Sequence, residues 1–365
     1  MQLSIERIKD PVEKQEVELV ESKGIGHPDS ICDSVCEACG NALAQYYKRK
    51  FGTVLHYNVD KALLVAGASR PSFGGGKITS PAKLTIAGRV TDRVAGKALP
   101  VRELIRATAK KYLSQFSIAK FDVIIDVKSG AANLALISKR KKPVANDTSF
   151  GAAHYPLSKT EQLVLDISAY LSSEEFRKKF PAAGQDIKVM GVRTGKKTKL
   201  TLAIAFVGKH VKDMESYIAI KNRIISHISS KFKADVDVNT LDDVTGDAEH
   251  VYITVSGLSA EMGDDGQVGR GNRYNGLITP GRPMSIEAVA GKNSRHPGRS
   301  YQVAAFSIAR ALVDEAGVKS AEVKLVTNIG APLEEPTASI KSDSNLSKIA
   351  AEKIIRKEIR KTISC

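Results

Sequence analysis

The sequence predicts an α/β (α+β) fold of more than one domain, and three observations carry that expectation. Stretches of strand character alternate with longer amphipathic stretches along the whole chain, the pattern of sheets covered by helices. A length of 365 residues, at roughly 150 per domain, suggests two or three domains. A hydrophobic share of 42% and a charged share of 26% are those of an ordinary globular chain rather than a disordered one.

In chain order, strand character falls at 15–19, 54–58, 62–66, 83–90, 123–126, 199–207 and 250–256, where β-branched and aliphatic residues cluster. Helical periodicity covers 30–48, 101–116, 159–171, 213–232, 285–290 and 300–316. In the first helix Cys32, Val35, Cys36, Cys39 and Leu43 form one apolar stripe. The C-x3-C-x2-C spacing resembles an iron–sulfur binding loop, but three thiolates hold a cluster only if the backbone wraps around it. On a helix stripe these cysteines are small buried hydrophobes. Near the C-terminus Ile355, Ile359 and Ile363 recur at i, i+4 and i+8, an amphipathic helix with a basic outer face. There is no fixed-period repeat, no low-complexity tract and no obvious linker, so the domains are expected to share a tight interface or to exchange segments of chain.

With 55 Lys+Arg against 40 Asp+Glu, the net charge of +15 points to polyanionic partners such as a phosphate-rich small molecule. Nucleic acid is not expected: there is no Trp and aromatics make up 5%, so base-stacking platforms are sparse. No apolar window is long enough for a membrane span. The first residues are polar and of mixed charge, unlike a signal peptide, and four cysteines do not make a secreted disulfide framework. A cytoplasmic protein with no membrane partner is expected.

Neither a Walker A loop nor a Gly-x-Gly-x-x-Gly fingerprint occurs. Instead, five loops concentrate glycine, aspartate and cationic residues. Gly24-Ile25-Gly26-His27-Pro28-Asp29-Ser30 precedes the first long helix, where free N–H groups favour anions, His27 offers a titratable donor and Asp29 a hard metal ligand. The plain alternative is a capped helix start, with Asp29 or Ser30 as the cap. Asn146–Gly151 carries Asp147, and Gly184–Gly191 sets Asp186 and Lys188 on one strand face, a spacing that more often marks a surface ion pair. Gly263-Asp264-Asp265-Gly266-Gln267-Val268-Gly269-Arg270-Gly271 could form an anion nest, with Asp264 and Asp265 as Mg²⁺ ligands and Arg270 as a phosphate clamp. Ala290–Arg299 adds Lys292, Arg295, His296 and Arg299 within eight residues. Carboxylates for a divalent metal beside many Lys/Arg are what a bound polyphosphate requires. A kinase or nucleotidase would need the same inventory.

In these residues the sequence resembles the archaeal type of S-adenosylmethionine synthetase (methionine adenosyltransferase). The matching stretches are 24–29, 58–61, 73–76, 146–151, 186–191, 263–273, 275–280 and 291–293, in order over most of the chain. The resemblance implies three similar α/β domains around a pseudo-threefold axis, built from non-contiguous segments: roughly 1–20 with 143–235, 21–118 with 240–290, and 119–140 with 291–365. It implies a homodimer with sheets packed face to face and active sites at the interface. It implies ATP and L-methionine as substrates, Mg²⁺ and K⁺ as cofactors, and attack of the methionine sulfur on C5′ of ATP followed by tripolyphosphate hydrolysis. On this basis His27, Lys188, Arg270 and Lys292 are the expected catalytic residues. Asp147, Asp264, Lys61 and Ser129 are placed with nucleotide and methionine, as are Gly130, Asn133 and His296. Asp29 and Asp265 are expected on Mg²⁺ and Asp60 near the monovalent cation. Ser30, Gly271, His296 and Gly298 depart from the lysines and the aspartate of the bacterial branch, and Asn133 stands where the pattern usually has Asp.

Overall fold

The computed structural model describes residues 1–116, 119–130, 144–145, 149–269, 275–285 and 288–364. Its strands begin with β1 (Gln2–Arg7), β2 (Val17–Lys23), β3 (Tyr57–Val65), β4 (Ala68–Ser72), β5 (Gly75–Ser80) and β6 (Ala82–Val90). A small hairpin of β7 (Arg93–Val94) and β8 (Lys97–Ala98) precedes β9 (Phe121–Ser129), β10 (Ser149–Tyr155), β11 (Ala183–Thr194) and β12 (Lys197–Val207). The remainder are β13 (Asp235–Val238), β14 (Ile253–Thr254), β15 (Gly266–Gln267), β16 (Leu277–Ile278), β17 (Ala321–Thr327) and β18 (Thr337–Ser342). The helices are α1 (Pro28–Phe51), α2 (Val101–Leu113), α3 (Lys159–Leu171), α4 (Glu174–Lys179), α5 (Met214–Phe232), α6 (Pro297–Ala316) and α7 (Lys348–Ser364).

The mixed α/β class holds. Among the described residues, three larger sheets form, ordered β1-β18-β17-β10, β13-β12-β11-β2-β16 and β15-β3-β6-β9. Each buries one face under helices, because alternate strand residues and one helix stripe are apolar. Val20, Val189, Leu200 and Leu202 meet Val164, Ile167, Ile224 and Ile228 of α3 and α5. Leu64, Leu84 and Ile86 meet Ile31, Cys36, Leu43 and Ile105 of α1 and α2. Val323, Leu325 and Ile340 meet Ala305, Ile308, Ile355 and Ile359 of α6 and α7. Cys32, Cys36 and Cys39 are buried on the stripe where periodicity puts them, and burial pushes the Cys32 and Cys39 thiols up to about 12.

Strand pairing crosses long stretches of sequence. β1 runs parallel to β18, and β9 runs parallel to β6. The boundaries drawn from the resemblance set 1–20 with 143–235 and 119–140 with 291–365; by hydrogen bonding, 2–7 joins 337–342 and 121–129 joins 82–90. The stretches read as 54–58 and 62–66 form one strand, β3, with a register shift between Asn58 and Lys61. The helix expected over 285–290 is not seen at 285 or 288–290.

The first and second sheets meet through a buried ionic junction. Glu161, at the start of α3, accepts from the Ser158 backbone N–H at 2.7 Å and from Arg282 Nε at 3.2 Å, and its Oε2 lies 3.0 Å from His154 Nε2 on β10. Arg282 also reaches Glu322 on β17 at 3.1 Å. Burial pushes the Glu161 carboxyl up, but His154, Arg282 and the Ser158 amide outweigh it and hold it down at about 2. Glu161→Ala strands these partners without their carboxylate and is expected to cost about 3–5 kcal/mol, read from the urea midpoint at constant m-value.

Candidate active site

The first cluster is built where β2 ends. β2 lies antiparallel to β11 with Lys23 opposite Lys188. Beyond Lys23 the chain stays on β11: Gly24 N–H donates to Ile187 O at 2.7 Å and Gly26 N–H to Gln185 O at 3.0 Å. A Cβ on Gly26 would lie 2.5 Å from the Gln185 carbonyl carbon, so a side chain there would lift the loop off the strand. The loop then opens α1 with His27 as N-cap and Pro28 at the first helical position, which lacks the N–H that a helix start cannot use. His27 Nδ1 accepts the Asp29 backbone N–H at 3.2 Å, which assigns the ring proton to Nε2.

His27 is 5% exposed. Burial, with Lys23 beside it and Lys188 adding, pushes its pKa down to about 4 against the opposing pull of Asp264 and Asp29. At neutral pH the ring is therefore uncharged, with its Nε2–H toward Asp264 Oδ2, 3.8 Å away. Asp29 is held on both oxygens, by Lys23 Nζ at 2.7 Å and by the Gln267 N–H at 2.9 Å. Asp33, one turn on, accepts the Gly269 N–H at 2.8 Å, so the glycine-rich loop is fastened to the first turns of α1.

Behind Asp264 sits a buried acid. Asp186 Oδ2 accepts the Ser259 N–H at 2.9 Å and also contacts the Ser259 hydroxyl, which lies 3.1 Å from Asp264 Oδ2. Burial raises the Asp186 carboxyl to about 6, opposed by the Ser259 hydrogen bonds and reinforced by Asp264. Thus the Asp186–Lys188 spacing does not mark a surface ion pair: Asp186 is 2% exposed and bonded to Ser259.

A second cluster lies further along α1 and β3. Asp60 has Lys61 Nζ 2.6 Å from one oxygen and Lys292 Nζ 2.8 Å from the other. Burial pushes its carboxyl up, but the two ammonium groups outweigh that and hold it below the usual range. The turn carrying Lys292 touches α1 at Glu37, which accepts the Gly291 N–H at 3.1 Å. Glu37 lies eight residues beyond Asp29, about 12 Å along the helix, so the two clusters are separate in one chain. A cleft of ≈ 560 Å³ runs between them, lined by Lys23 of β2, by Ser30, Asp33, Glu37 and Asn41 on α1's polar side and by 288–290.

The other expected site residues are dispersed. Ser129 donates to Asp92 at 2.8 Å, and Gly130 lies against the His56 ring. Asp265 accepts the Ala66 N–H at 2.8 Å at the end of β3. His296 caps α6 as His27 caps α1, its Nδ1 accepting the Gly298 N–H at 3.2 Å. Asp29, Asp60 and Asp265 stand at three different places, and no group of three His, Cys, Asp or Glu suited to a metal ion occurs among the described residues. Asn133, Asp147 and Arg270 lie outside the described residues. Sequence reasoning missed Lys23, Ser259 and Glu37. Lys23 alone carried a signal, as a cation flanking the Gly-x-Gly turn opposite Asp29.

A helix-start histidine and buried acids and lysines, set on a mixed α/β frame, are the parts of an enzyme that handles a charged substrate. Residues 2–364 match the family model described as S-adenosylmethionine synthetase (AdoMet synthetase), and the chain belongs to that family. It is 44% identical over 352 residues to the S-adenosylmethionine synthase of Methanocaldococcus jannaschii, covering 90% of this chain and 86% of that one. It is 44% identical to that of Pyrococcus furiosus, covering 91% and 86%, and 42% identical to that of Haloarcula marismortui, covering 89% and 84%.

The depressed pKa of His27 makes a signed prediction. An unfolded imidazole takes up a proton near pH ~6.5, whereas the folded one resists until about 4. The unfolded state binds the extra proton across that window, so stability falls as pH drops from about 6.5 toward 4. His27→Asn should flatten that fall by up to about 3 kcal/mol, measured from urea midpoints across the window.

Proposed function

We propose that the chain forms S-adenosyl-L-methionine from ATP and L-methionine, the thioether sulfur attacking C5′ of ATP and expelling tripolyphosphate, which is then hydrolysed to pyrophosphate and phosphate. The observation that carries this reading is His27: a neutral imidazole at a helix start, its Nε2–H free of the capping bond and 3.8 Å from Asp264, with Lys188 near enough to act on its charge. In the displacement, a neutral sulfur becomes a sulfonium while negative charge grows on the bridging oxygen. A fixed donor aimed at that oxygen lowers the barrier because it needs no reorganisation. A neutral donor also gives no proton away prematurely.

Lys188 is the cation facing the phosphate chain, and Asp264, its carboxylate held by Ser259, meets the methionine ammonium group. Arg270 clamps the tripolyphosphate and assists its hydrolysis. Lys292, with Lys61 beside it, supplies positive charge from the second cluster, and Asp147, Asn133, Ser129, Gly130 and His296 complete the nucleotide and methionine pocket. Asp29 would hold Mg²⁺ once Lys23 turned to the phosphates, with Asp265 as the second candidate; the ion needs only one or two protein carboxylates and would supply positive charge to the phosphate oxygens. The oxygens of Asp60 are both bonded to ammonium groups, an arrangement that does not fit a K⁺ ligand.

Glu37, where the Lys292 turn touches α1, lies about 12 Å along the helix from Asp29, and this spacing favours a homodimer in which one protomer's His27 cluster faces its partner's Lys292 cluster. The uncovered sheet faces support this: Val17 and Leu19 on β2, Leu63 and Val65 on β3, Ile124 on β9 and Val326 on β17 are exposed. Apolar surface on all three sheets is what a large subunit interface covers. We place the dimer in the cytoplasm; no described helix is long and apolar enough to cross a membrane.

The deciding experiment is incubation with ATP, methionine, Mg²⁺ and K⁺, with mass spectrometry of the products. A sulfonium product is expected; ADP or AMP without it overturns the reading. His27→Asn should lower kcat on the order of 10²–10³-fold with little change in the ATP KM. Lys188→Met should damage both, because a lysine–phosphate contact is made in ground and transition states alike. Arg270→Leu should let tripolyphosphate accumulate in rapid-quench experiments.

A further inference from the structure

The turn that presents Lys292 is held from two sides. On one side, Arg299 of α6 pairs with Glu37 of α1 by two prongs, Nη2 to Oε1 at 2.7 Å and Nη1 to Oε2 at 2.8 Å. The same Nη1 donates to Val289 O at 3.1 Å and to Lys292 O at 3.4 Å, while Glu37 Oε2 accepts the Gly291 N–H. On the other side, Val59 N–H donates to Gly291 O at 3.0 Å and Asn293 N–H to Asn58 Oδ1 at 3.2 Å. Gly291 has φ +71°, and a Cβ there would lie 2.2 Å from Val59 O, so only glycine lets the turn approach β3 this closely.

We propose that Glu37 and Arg299 are positioning residues for the reaction: their ion pair fixes the backbone from which Lys292 reaches the phosphates. The proposal rests on the reading of Lys292 given above. A lysine ammonium rides on a flexible four-carbon stem, so Asp60 at its tip and the backbone beneath it together set the place of Lys292. The planar guanidinium binds the Glu37 carboxylate and two carbonyls of the turn at once, which the point charge of a lysine cannot reproduce. The pair touches no reacting group; it acts through Lys292.

The test is a double-mutant cycle on the full-length enzyme with Arg299→Lys, Lys292→Met and the two combined. Arg299→Lys should lower kcat/KM for ATP on the order of 10²-fold, with far-UV circular dichroism unchanged and faster amide exchange confined to 289–293. If the pair works through Lys292, the combined variant is no slower than Lys292→Met alone. Multiplying losses, or a wild-type rate in Arg299→Lys beside an impaired Lys292→Met, overturn the positioning role. A wild-type rate in Lys292→Met overturns the role of Lys292 and this proposal with it. Should Arg299→Lys fail to fold, Glu37→Gln, which keeps the shape and loses the charge, runs the same cycle with the same outcomes.

Discussion

Two backbone hydrogen bonds, from Gly24 and Gly26 to the carbonyls of Ile187 and Gln185, hold the end of β2 against β11 while the chain turns into α1. That docking sets the distances on which the first cluster depends. It places Lys23 opposite Lys188 and His27 at the helix start, beside the strand that carries Asp186. Lys23 then balances Asp29, and the field of the two lysines together with burial keeps His27 uncharged. A displacement of the loop would undo the protonation state of the histidine as well as its position, because both come from the same packing.

Histidine is used twice in one way. At α1 and at α6 a His-Pro pair opens the helix, and in both the imidazole Nδ1 caps an N–H of its own first turn. The cap occupies one ring nitrogen and orients the other. A plain helix start would take Asp29 or Ser30 as its cap; the structure gives that place to the His27 ring, with Asp29 supplying the capped N–H.

Legibility followed the period of the apolar residues. The helices at 30–48, 101–116, 159–171 and 213–232 were readable because their stripes are long; the structure keeps 159–171 unchanged and moves ends of the others by up to three residues. Gly184, Asp186, Lys188 and Gly191 break any simple alternation, so only the shared strand face of Asp186 and Lys188 hinted at β11, and its full extent, Ala183–Thr194, was not readable. Asp186 is buried only because Ser259, more than seventy residues away, supplies its hydrogen bonds. Over 250–256, where valine and isoleucine promise a longer strand, only Ile253–Thr254 (β14) forms one. There Asp242 accepts the Tyr252 N–H at 2.9 Å and Glu261 accepts the N–H of Ser256 at 2.7 Å, so donors needed for a ladder are spent on side chains. The glycine and charge motifs located the helix-start loop and the Lys292 turn. They could not show that Asp60 stands between two lysines, or that Glu37 and Arg299 join α1 to α6, because those contacts exist only after three segments meet.

The parallel pairing of β1 with β18 sets Gln2 beside Thr337. A ribosome releases the first strand long before its partner exists, so β1 has no ladder to join, and the first sheet cannot close, until 337–342 has been made. Loop closure over that span makes it a slow, late step. The unpaired edge is exposed to other nascent chains in the meantime. β1 itself limits that exposure: it is short, with Glu6 and Arg7 at its end, a poor template for association with a neighbour.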